Sequence, residues 1–438
     1  MSLLNGIQRY THLAKFRKWR NCDGTNVSPL YKRAIKFFLG SSFSKILGLL
    51  LIPVVARLYT PSEFGVLAQL MAISLILIPL SNLRLPTILP TIADANEFRL
   101  VCSLSIASVI CVALLTLLGA WVYYLFTANT IYFYLSVIVL AGGIYELLYM
   151  RMVKLGRFTL LSRVQIAQVC MDAFVKVLMA FSAFKVYGLV IAYTVFHITS
   201  SALLFCFYGR AAVKGLFNFD RQELLQTLKV HKQIPLYRMP SQLLMVLSMQ
   251  LPVIVCSYVY DMAEVGYLSF ALVIFAVPAS LVTQSIGNIY FAEIAKLSER
   301  DPRGIYLITK DVVIKLLLIL SLPISLLYFL GAPIFSMVFG NEWLQAGILA
   351  ENLSIYLLFQ LMCSPIICIY SVFSMHYMFF LVNLLRLLVV TLVLLIGIRM
   401  DWGIVELSYN YAVLLAAYYI ALMIIIWVLL KRRMRLVR

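Results

Sequence analysis

Charged residues are scarce in this chain of 438 residues. Only 12% of them are Asp, Glu, Lys or Arg, whereas soluble domains carry about 25%. Hydrophobic residues, by contrast, make up 63% of the sequence. A soluble protein of this length could not bury so much apolar surface, and helices satisfy their own backbone groups in lipid. The composition therefore predicts an all-α, polytopic membrane protein.

Acidic residues, histidines and paired cysteines are also few. The chain has 18 acidic residues against 36 basic ones, and only four histidines. Its eight cysteines are scattered, without a CxxC motif or a group of histidines near them. This pattern indicates small buried side chains rather than a zinc site or a disulfide framework. We expect no metal, no cofactor and no catalytic residues.

The net charge of +18 would suggest a nucleic-acid partner in a soluble protein. No nucleic-acid-binding motif occurs in the sequence, and in membrane proteins Lys and Arg accumulate in cytoplasmic loops. We therefore expect the basic segments to lie beside membrane lipids, and we expect no nucleic acid.

Long apolar runs recur along the whole chain. Each is close to the roughly 20 residues that a helix needs to cross a bilayer. About twelve transmembrane helices are predicted, at residues 37–55, 64–83, 100–126, 131–150, 158–183, 188–208, 237–259, 265–286, 309–330, 352–372, 378–398 and 404–430.

The basic residues between these helices are distributed unevenly. Of the 36 Lys and Arg residues, 27 lie in the termini and the loops of one side, whereas Arg57, Lys185 and Arg399 are the three on the other side. The positive-inside rule then predicts that both termini are cytoplasmic. We call the two sides the cation-rich side and the cation-poor side.

These features divide the chain into five predicted parts. They are a basic N-terminal segment (1–36), a six-helix lobe (37–208), a cytoplasmic connection (209–236), a second six-helix lobe (237–430) and a basic tail (431–438). Within the connection, RQELLQTLKV (Arg221 to Val230) is predicted to form an amphipathic helix along the membrane. The widest loop of the cation-poor side is predicted at residues 331–351, with a short interfacial helix at its start.

The two lobes share an internal repeat. A shift of 201 residues aligns the turn after the first helix with the turn after the seventh, placing Tyr59 on Tyr260, Glu63 on Glu264 and Gly65 on Gly266. Repeated hydropathy of this kind is typical of two-lobed transporters. We therefore expect the lobes to be related by pseudo-symmetry.

Six basic and three acidic residues fall inside the predicted helices. A charged side chain near the bilayer centre costs about 2.5–3.5 kcal/mol, so it is expected to face a cavity or a partner. The basic residues are Lys45, Arg163, Lys176, Arg238, Lys315 and Arg386, and the acidic ones are Glu146, Asp172 and Glu406. A cavity lined by these side chains would be net positive and would suit an anionic substrate.

Uncharged polar residues share helix faces with these cations. Gln165 and Gln168 precede Asp172 and Lys176 at spacings of three or four residues, which places all four on one face. The other candidates for the cavity lining are Ser41 on the face of Lys45, Gln242 on the face of Arg238, and Asn383 on the face of Arg386.

Each candidate also has a structural interpretation. Four of the cations lie near cytoplasmic helix ends, from which long side chains often reach the interface; they are Arg163, Arg238, Lys315 and Arg386. Asp172 and Lys176 are four residues apart and could neutralise each other. Glu146 follows Gly142 and Gly143, so it could belong to a helix-packing contact instead of a coupling site.

Five segments of the chain resemble one family. They are LIPVVARLYTPSEFGVLA from Leu51, LRLPTILP from Leu83, HKQIPLYRMPSQLLMVLSMQLPVIV from His231, VPASLVTQSIGNIYFAEIAKL from Val277, and GAPIFSMVFGNEWLQAGILAENLSIYLLFQLMCSP from Gly331. In this order they resemble the Wzx-type polysaccharide flippases of the MOP exporter superfamily. The second segment departs from the pattern, because relatives carry an aromatic and an acidic residue between the arginine and the apolar run.

The resemblance implies a function and partners. It implies that undecaprenyl-diphosphate-linked oligosaccharide repeat units, for O-antigen, capsule or exopolysaccharide, are turned over from the cytoplasmic to the periplasmic leaflet of a bacterial inner membrane. It also implies alternating access by rocking of the two lobes. A polysaccharide polymerase and a chain-length regulator would be partners.

Three alternatives remain open. A drug or organic-cation antiporter of the MATE type would have the same fold, but it would favour acids in its cavity, where cations outnumber acids six to three. A lipid II flippase shares the fold and the diphosphate, although such relatives usually have more than twelve helices. A membrane enzyme, such as a polymerase or a ligase, would be expected to have a large domain outside, which the short loops of the cation-poor side argue against.

Overall fold

Helices form every regular element in the part of the chain that the computed structural model describes. The described residues are 29–182, 184–208, 221–232, 234–297, 301–373 and 375–436. The all-α prediction is confirmed for these residues. Most of the predicted N-terminal segment (1–36), much of the connection (209–236) and the last two residues of the tail lie outside them.

The described helices follow the chain in two groups of long helices separated by a short one. The N-terminal half contains α1 (Pro29–Ala56), α2 (Pro61–Ser81), α3 (Ala95–Thr127), α4 (Tyr132–Lys154), α5 (Phe158–Ala180) and α6 (Lys185–Tyr208). The short helix α7 (Arg221–Val230) has the bounds predicted for the amphipathic helix. The C-terminal half contains α8 (Met239–Val259), α9 (Met262–Leu297), α10 (Pro302–Phe339), α11 (Leu344–Ile366), the short α12 (Ile369–Val372), α13 (His376–Arg399) and α14 (Ile404–Leu436).

The long helices are apolar enough to cross a membrane. In the described ranges, 11 helices meet this requirement by length and composition, and the segment Gly40–Ala56 of α1 is a shorter apolar one. Together they coincide with the twelve predicted transmembrane helices. The chain is a multi-pass membrane protein.

Several predicted helix ends are wrong on the cation-rich side. α1 begins at Pro29 rather than at 37, α9 extends to Leu297 rather than to 286, and α14 extends to Leu436 rather than to 430. In each case the helix continues beyond the apolar run into residues that include charged side chains. Hydropathy locates the apolar run but not the end of the helix.

The segment predicted as a loop at residues 331–351 is a loop only in part, and the helix predicted at its start is present. Its residues are largely helical, because α10 continues through a kink at Leu330 and α11 begins at Leu344, with only the 3₁₀ turn Asn341–Trp343 between them. At the kink, the backbone N–H of Ala332 donates to the carboxylate of Glu351 at 2.8 Å. This acid therefore satisfies a backbone group that the kink exposes.

Capping residues define the turn between α1 and α2. Thr60 is the N-cap, Pro61 is the first residue of α2, and the Glu63 carboxylate accepts a hydrogen bond from the Thr60 N–H at 2.7 Å. A carboxylate in the first turn also interacts favourably with the helix dipole. These contacts determine where α2 begins, and thereby the position of Gly65.

Gly65 and Gly266, which the shift of 201 aligns, meet in space. A Cβ atom on Gly65 would lie 1.9 Å from the carbonyl oxygen of Met262, and one on Gly266 would lie 1.8 Å from that of Pro61. The contact is reciprocal, because the same shift aligns Pro61 with Met262. Any side chain at either glycine would separate α2 from α9.

The buried apolar side chains form one large cluster and three smaller ones. The large cluster comes from residues 253–430, joined by Ala56 and Ala72 of the N-terminal half. The smaller clusters come from residues 55–204. α1 packs along α5, whereas α2 packs along α8 and α9. α2 therefore supplies much of the contact between the two halves.

Gly65→Ala is expected to destabilise the protein. The new methyl group would overlap a backbone oxygen rather than a movable side chain, so the helices must shift, at a cost of about 1–3 kcal/mol. Gly119→Ala is the matched control, since nothing lies within 4 Å of its added Cβ and alanine favours a helix interior. Thermal unfolding in detergent should show a lower Tm for Gly65→Ala only. Equal Tm values for both variants would contradict the close crossing.

Candidate functional site

Lys45 lies where the two halves meet. Its half-buried side chain projects from α1, and its ammonium donates to the hydroxyl of Ser280 on α9 at 3.3 Å. Ala56 ends α1 about 16 Å further along, at 1.5 Å per residue, so Lys45 is near the middle of a hydrocarbon layer about 30 Å thick. Among the described side chains of the candidate cations, Lys45 makes the hydrogen bond that joins the halves.

Lys176 and Asp172 form an ion pair on α5. Their charged atoms are 2.5 Å apart, and the side chains are 19% and 22% exposed. This contact is the one expected if the two charges neutralise each other. On the same helix, Gln168 is buried and Gln165 is half-buried, and both amides lie beside the hydroxyl of Tyr145. The four residues thus form a polar face whose charges cancel.

Arg386 is buried in the C-terminal half. Its side chain is 7% exposed, and its guanidinium carbon lies 5.9 Å from the centre of the Tyr419 ring. Further tyrosines close to it are Tyr356, Tyr411 and Tyr418. In the described part of the chain, Nε of Arg386 has no hydrogen-bond partner. Asn383 is buried one turn earlier, where its amide donates to a carbonyl of its own helix.

Arg163 and Lys315 lie on exposed helix faces. Arg163 shares a face of α5 with the exposed Phe174. Lys315 pairs with Asp311 at 2.7 Å, and Leu318 on the same face is 68% exposed. Exposed apolar faces of membrane helices are typical of lipid contact. These two cations are therefore not brought together with Lys45, and their placement favours the interfacial interpretation.

Three candidates for the lining remain predictions. Arg238 ends the π-helical turn Ile234–Arg238, and its side chain lies outside the described ones. Ser41 on α1 and Gln242 on α8 are half-buried.

Glu146 belongs to a packed contact on the cation-rich side. Its carboxylate accepts a hydrogen bond from the guanidinium of Arg84 at 2.6 Å and another from the amide of Asn82 at 3.3 Å. Gly142 and Gly143, one turn earlier, lie so close to α2 and α3 that a Cβ on either would overlap a side chain. These contacts place Glu146 at a helix-packing site.

Sequence reasoning missed Arg84 as the partner of Glu146, because Arg84 follows a predicted helix and counts as a loop residue. Leu83 and Arg84 have φ values of 48° and 56°, in the left-handed region. The 3₁₀ turn Leu85–Ile88 follows, and Leu85 is fully buried. This turn directs Arg84 back toward α4. The apolar residues on both sides of Arg84, in LRLPTILP, were the signal of a packed loop.

Comparison with known protein families identifies the family of this chain. A family model described as polysaccharide biosynthesis protein matches residues 54–347, well over half of the chain. The chain belongs to this family. A comparison with curated proteins gives no match.

Solved structures agree with this assignment at the level of the fold. The lipid II flippase MurJ in an inward closed conformation has a TM-score of 0.69 at 15% identity, over 92% of this chain and 91% of that one. A multidrug resistance MATE transporter of the MOP superfamily, in an inward-facing conformation, has a TM-score of 0.58 at 13% identity, over 91% and 95%. A MATE transporter from Vibrio cholerae has a TM-score of 0.53 at 16% identity, over 93% and 98%.

This member of the polysaccharide biosynthesis family therefore has the fold of the MOP-superfamily transporters, which confirms the resemblance found in its sequence. The chain thus combines membership of the polysaccharide biosynthesis family with a fold found in the lipid II flippase and the MATE transporters. The described residues contain no group of three or more His, Cys, Asp and Glu side chains that could hold a metal ion. Of the three acids predicted inside the membrane, Glu146 and Asp172 are paired, and Glu406 lies in the first turn of α14.

Glu146→Gln is expected to destabilise the protein, because the Arg84 guanidinium would lose its charged acceptor. Hydrogen bonds to charged groups contribute about 1.5–3 kcal/mol. Glu293→Gln is the control, since its pair with Lys296 is more than half exposed on both sides and exposed pairs contribute little. A double-mutant cycle of thermal unfolding with Arg84→Gln should give a clear coupling energy. A coupling energy near zero would contradict the ion pair.

Proposed function

We propose that this transporter turns over undecaprenyl-diphosphate-linked oligosaccharide repeat units from the cytoplasmic to the periplasmic leaflet of a bacterial inner membrane. The glycan would be a repeat unit of O-antigen, capsule or exopolysaccharide, as the family description supports. The observation that carries the proposal is the position of Lys45, half-buried between α1 and α9.

Lys45 would hold the diphosphate. An ammonium is a compact charge that suits phosphate oxygens, and charge-assisted hydrogen bonds are about twice as strong as neutral ones. One of its contacts, with the neutral Ser280 hydroxyl at 3.3 Å, is near the long limit of a hydrogen bond. A diphosphate oxygen would therefore be a stronger acceptor than Ser280. Exchange of one acceptor for the other would accompany entry of the substrate between the halves.

Transport would follow from movement of the halves relative to each other. We take residues 37–208 and 237–430 as two six-helix lobes that rock, as in other transporters built from repeats. Because Lys45 and Ser280 belong to different lobes, rocking changes their separation. The lipid tail would remain in the bilayer while the diphosphate and the glycan pass between the lobes.

The other candidate cations would act at different depths. Lys176 and Arg386 lie inside the lobes, and Arg238 is close to the start of α8. We propose that Arg386 and Arg238 add positive potential along the path, whereas Lys176 stays neutralised by Asp172. Ser41, Gln165, Gln168, Gln242 and Asn383 would be uncharged neighbours that bind sugar hydroxyls. Arg163 and Lys315, on exposed helix faces, would instead reach the membrane interface and take no part in holding the substrate.

A drug or organic-cation antiporter is the alternative from a different class of cargo. Such a protein needs an acid that can meet its cation. Glu146 and Asp172 are already paired with Arg84 and Lys176, and the ammonium of Lys45 would repel a cationic cargo. The charge arrangement thus supports an anionic substrate, with lipid II as the other diphosphate lipid to be tested.

The direct test is transport in proteoliposomes. A fluorescent undecaprenyl-diphosphate oligosaccharide would be incorporated, and its transfer between leaflets followed by quenching from outside. Loss of a charge-assisted contact of about 1.5–3 kcal/mol corresponds to roughly a 10- to 100-fold slower transfer for Lys45→Ala. Lys45→Arg should retain most of the rate, because it keeps the charge.

Lys315→Ala is the matched control, since Lys315 is exposed and paired with Asp311. It should transfer the lipid at close to the wild-type rate. Equal rates for Lys45→Ala and Lys315→Ala would remove Lys45 from the proposal. If lipid II is transferred in preference to the oligosaccharide lipid, lipid II replaces the proposed cargo. Export of organic cations alone would overturn the proposed function.

A further inference from the structure

The carbonyls at the end of a helix lack partners within that helix. The last four C=O groups of any α-helix need other donors, and they carry the negative end of the helix dipole. α1 ends at Ala56 and α10 ends at Phe339, both on the cation-poor side. These two helices belong to opposite halves of the chain. In each case, a side chain from the other half supplies a donor.

Trp343 of the C-terminal half caps α1. Its indole Nε1–H donates to the carbonyl of Ala56 at 2.9 Å, and the side chain is 1% exposed. The indole is stacked on Phe270 with ring centres 4.0 Å apart, and it meets the edge of Phe64, from the N-terminal half, at 5.0 Å. The donor is therefore held in place by aromatic rings from both halves.

Arg57 of the N-terminal half caps α10. Its guanidinium donates to the carbonyls of Met337 and Val338, each at 3.2 Å. These carbonyls belong to the last turn of α10, where a positive charge is favourable. Unlike Trp343, the Arg57 side chain is exposed.

The two caps form a reciprocal contact that we call the outer clasp, made of Arg57 and Trp343 with the carbonyls of Ala56, Met337 and Val338. It lies beside the close crossing at Gly65, since Phe64 is part of it. The kink of α10 at Leu330, stabilised by Glu351, aims the last turn of α10 at the end of α1. The clasp thus depends on the segment that hydropathy treats as a loop.

We propose that Arg57 and Trp343 are positioning residues of transport, which hold the cation-poor side closed by capping each other's helix ends. The inference rests on the proposed function only in assigning this closure to a transport cycle. When the halves separate on this side, the indole N–H and three helix carbonyls lose their partners together. Water can replace Arg57 at the surface, whereas Trp343 must leave a buried aromatic site, so Trp343 opposes opening more strongly.

The test measures the distance between the two halves without any substrate. Spin labels would be placed at Ser62→Cys and Glu342→Cys, exposed positions on opposite halves of the cation-poor side, in a chain whose native cysteines are replaced. Pulsed electron spin resonance in nanodiscs then gives the populations of short and long distances. The variants are Arg57→Gln and Trp343→Phe, the second of which keeps a ring but removes the donor.

The expected result is a growing population of long distances. Loss of a buried donor should raise the ratio of open to closed molecules roughly 10-fold for Trp343→Phe, and loss of an exposed one roughly threefold for Arg57→Gln. Arg57→Lys should restore the closed population. Arg399→Gln is the matched control, an exposed arginine in the last turn of α13 on the same side, and it should leave the distances unchanged.

Unchanged distances would contradict the proposal. Distance distributions of Arg57→Gln and Trp343→Phe that match Arg399→Gln would overturn the clasp, and if Trp343→Phe does not fold, Arg57→Gln decides alone. Because no substrate is present, this outcome is separate from the transport assay. Opening of the variants together with an absence of glycolipid transfer would leave the clasp intact and reject the proposed cargo.

Discussion

The structure depends on a helix crossing that only glycine permits. At Gly65 and Gly266, α2 and α9 approach until each glycine lies against a backbone oxygen of the other helix. This crossing brings the halves together on the cation-poor side and determines what else can touch. Gln69 of α2 donates to Ser257 of α8 at 3.0 Å in a buried contact. Further along, Lys45 reaches Ser280 on α9.

Two ion pairs compensate charge inside the N-terminal half. Asp172 neutralises Lys176 on one helix, and Glu146 neutralises Arg84 across a packed turn. Both pairs satisfy the requirement that an ionised group in an apolar medium has a partner. Lys45 differs because its hydrogen bond crosses from one half to the other, so its surroundings change whenever the halves move. A charged side chain that lies between two moving halves is suited to binding a charged substrate, whereas charges paired within one half contribute to stability.

Helix number and the amphipathic helix at residues 221–230 could be predicted, because apolar length and helical periodicity are local properties. The shift of 201 residues also identified Gly65 and Gly266 as equivalent positions in the two halves. It did not indicate that the two glycines contact each other. The partner of Glu146 could not be found in this way, since two left-handed residues bring Arg84 back from a loop. Trp343 was missed for a related reason: the kink of α10 interrupts the helix pattern, and contacts between distant segments leave no periodic signal. Tertiary contacts decide which side chains pair with each other, whereas helix formation follows from local sequence.

The central claim is that the ammonium of Lys45 recognises the diphosphate of a lipid carrier. Native mass spectrometry of the protein with undecaprenyl oligosaccharides that carry a diphosphate, a monophosphate or no phosphate would measure this recognition directly. The account predicts tightest binding of the diphosphate and weakest binding of the neutral lipid by the wild type, with the preference reduced in Lys45→Ala. Equal binding of all three lipids, or an unchanged order in Lys45→Ala, would contradict it.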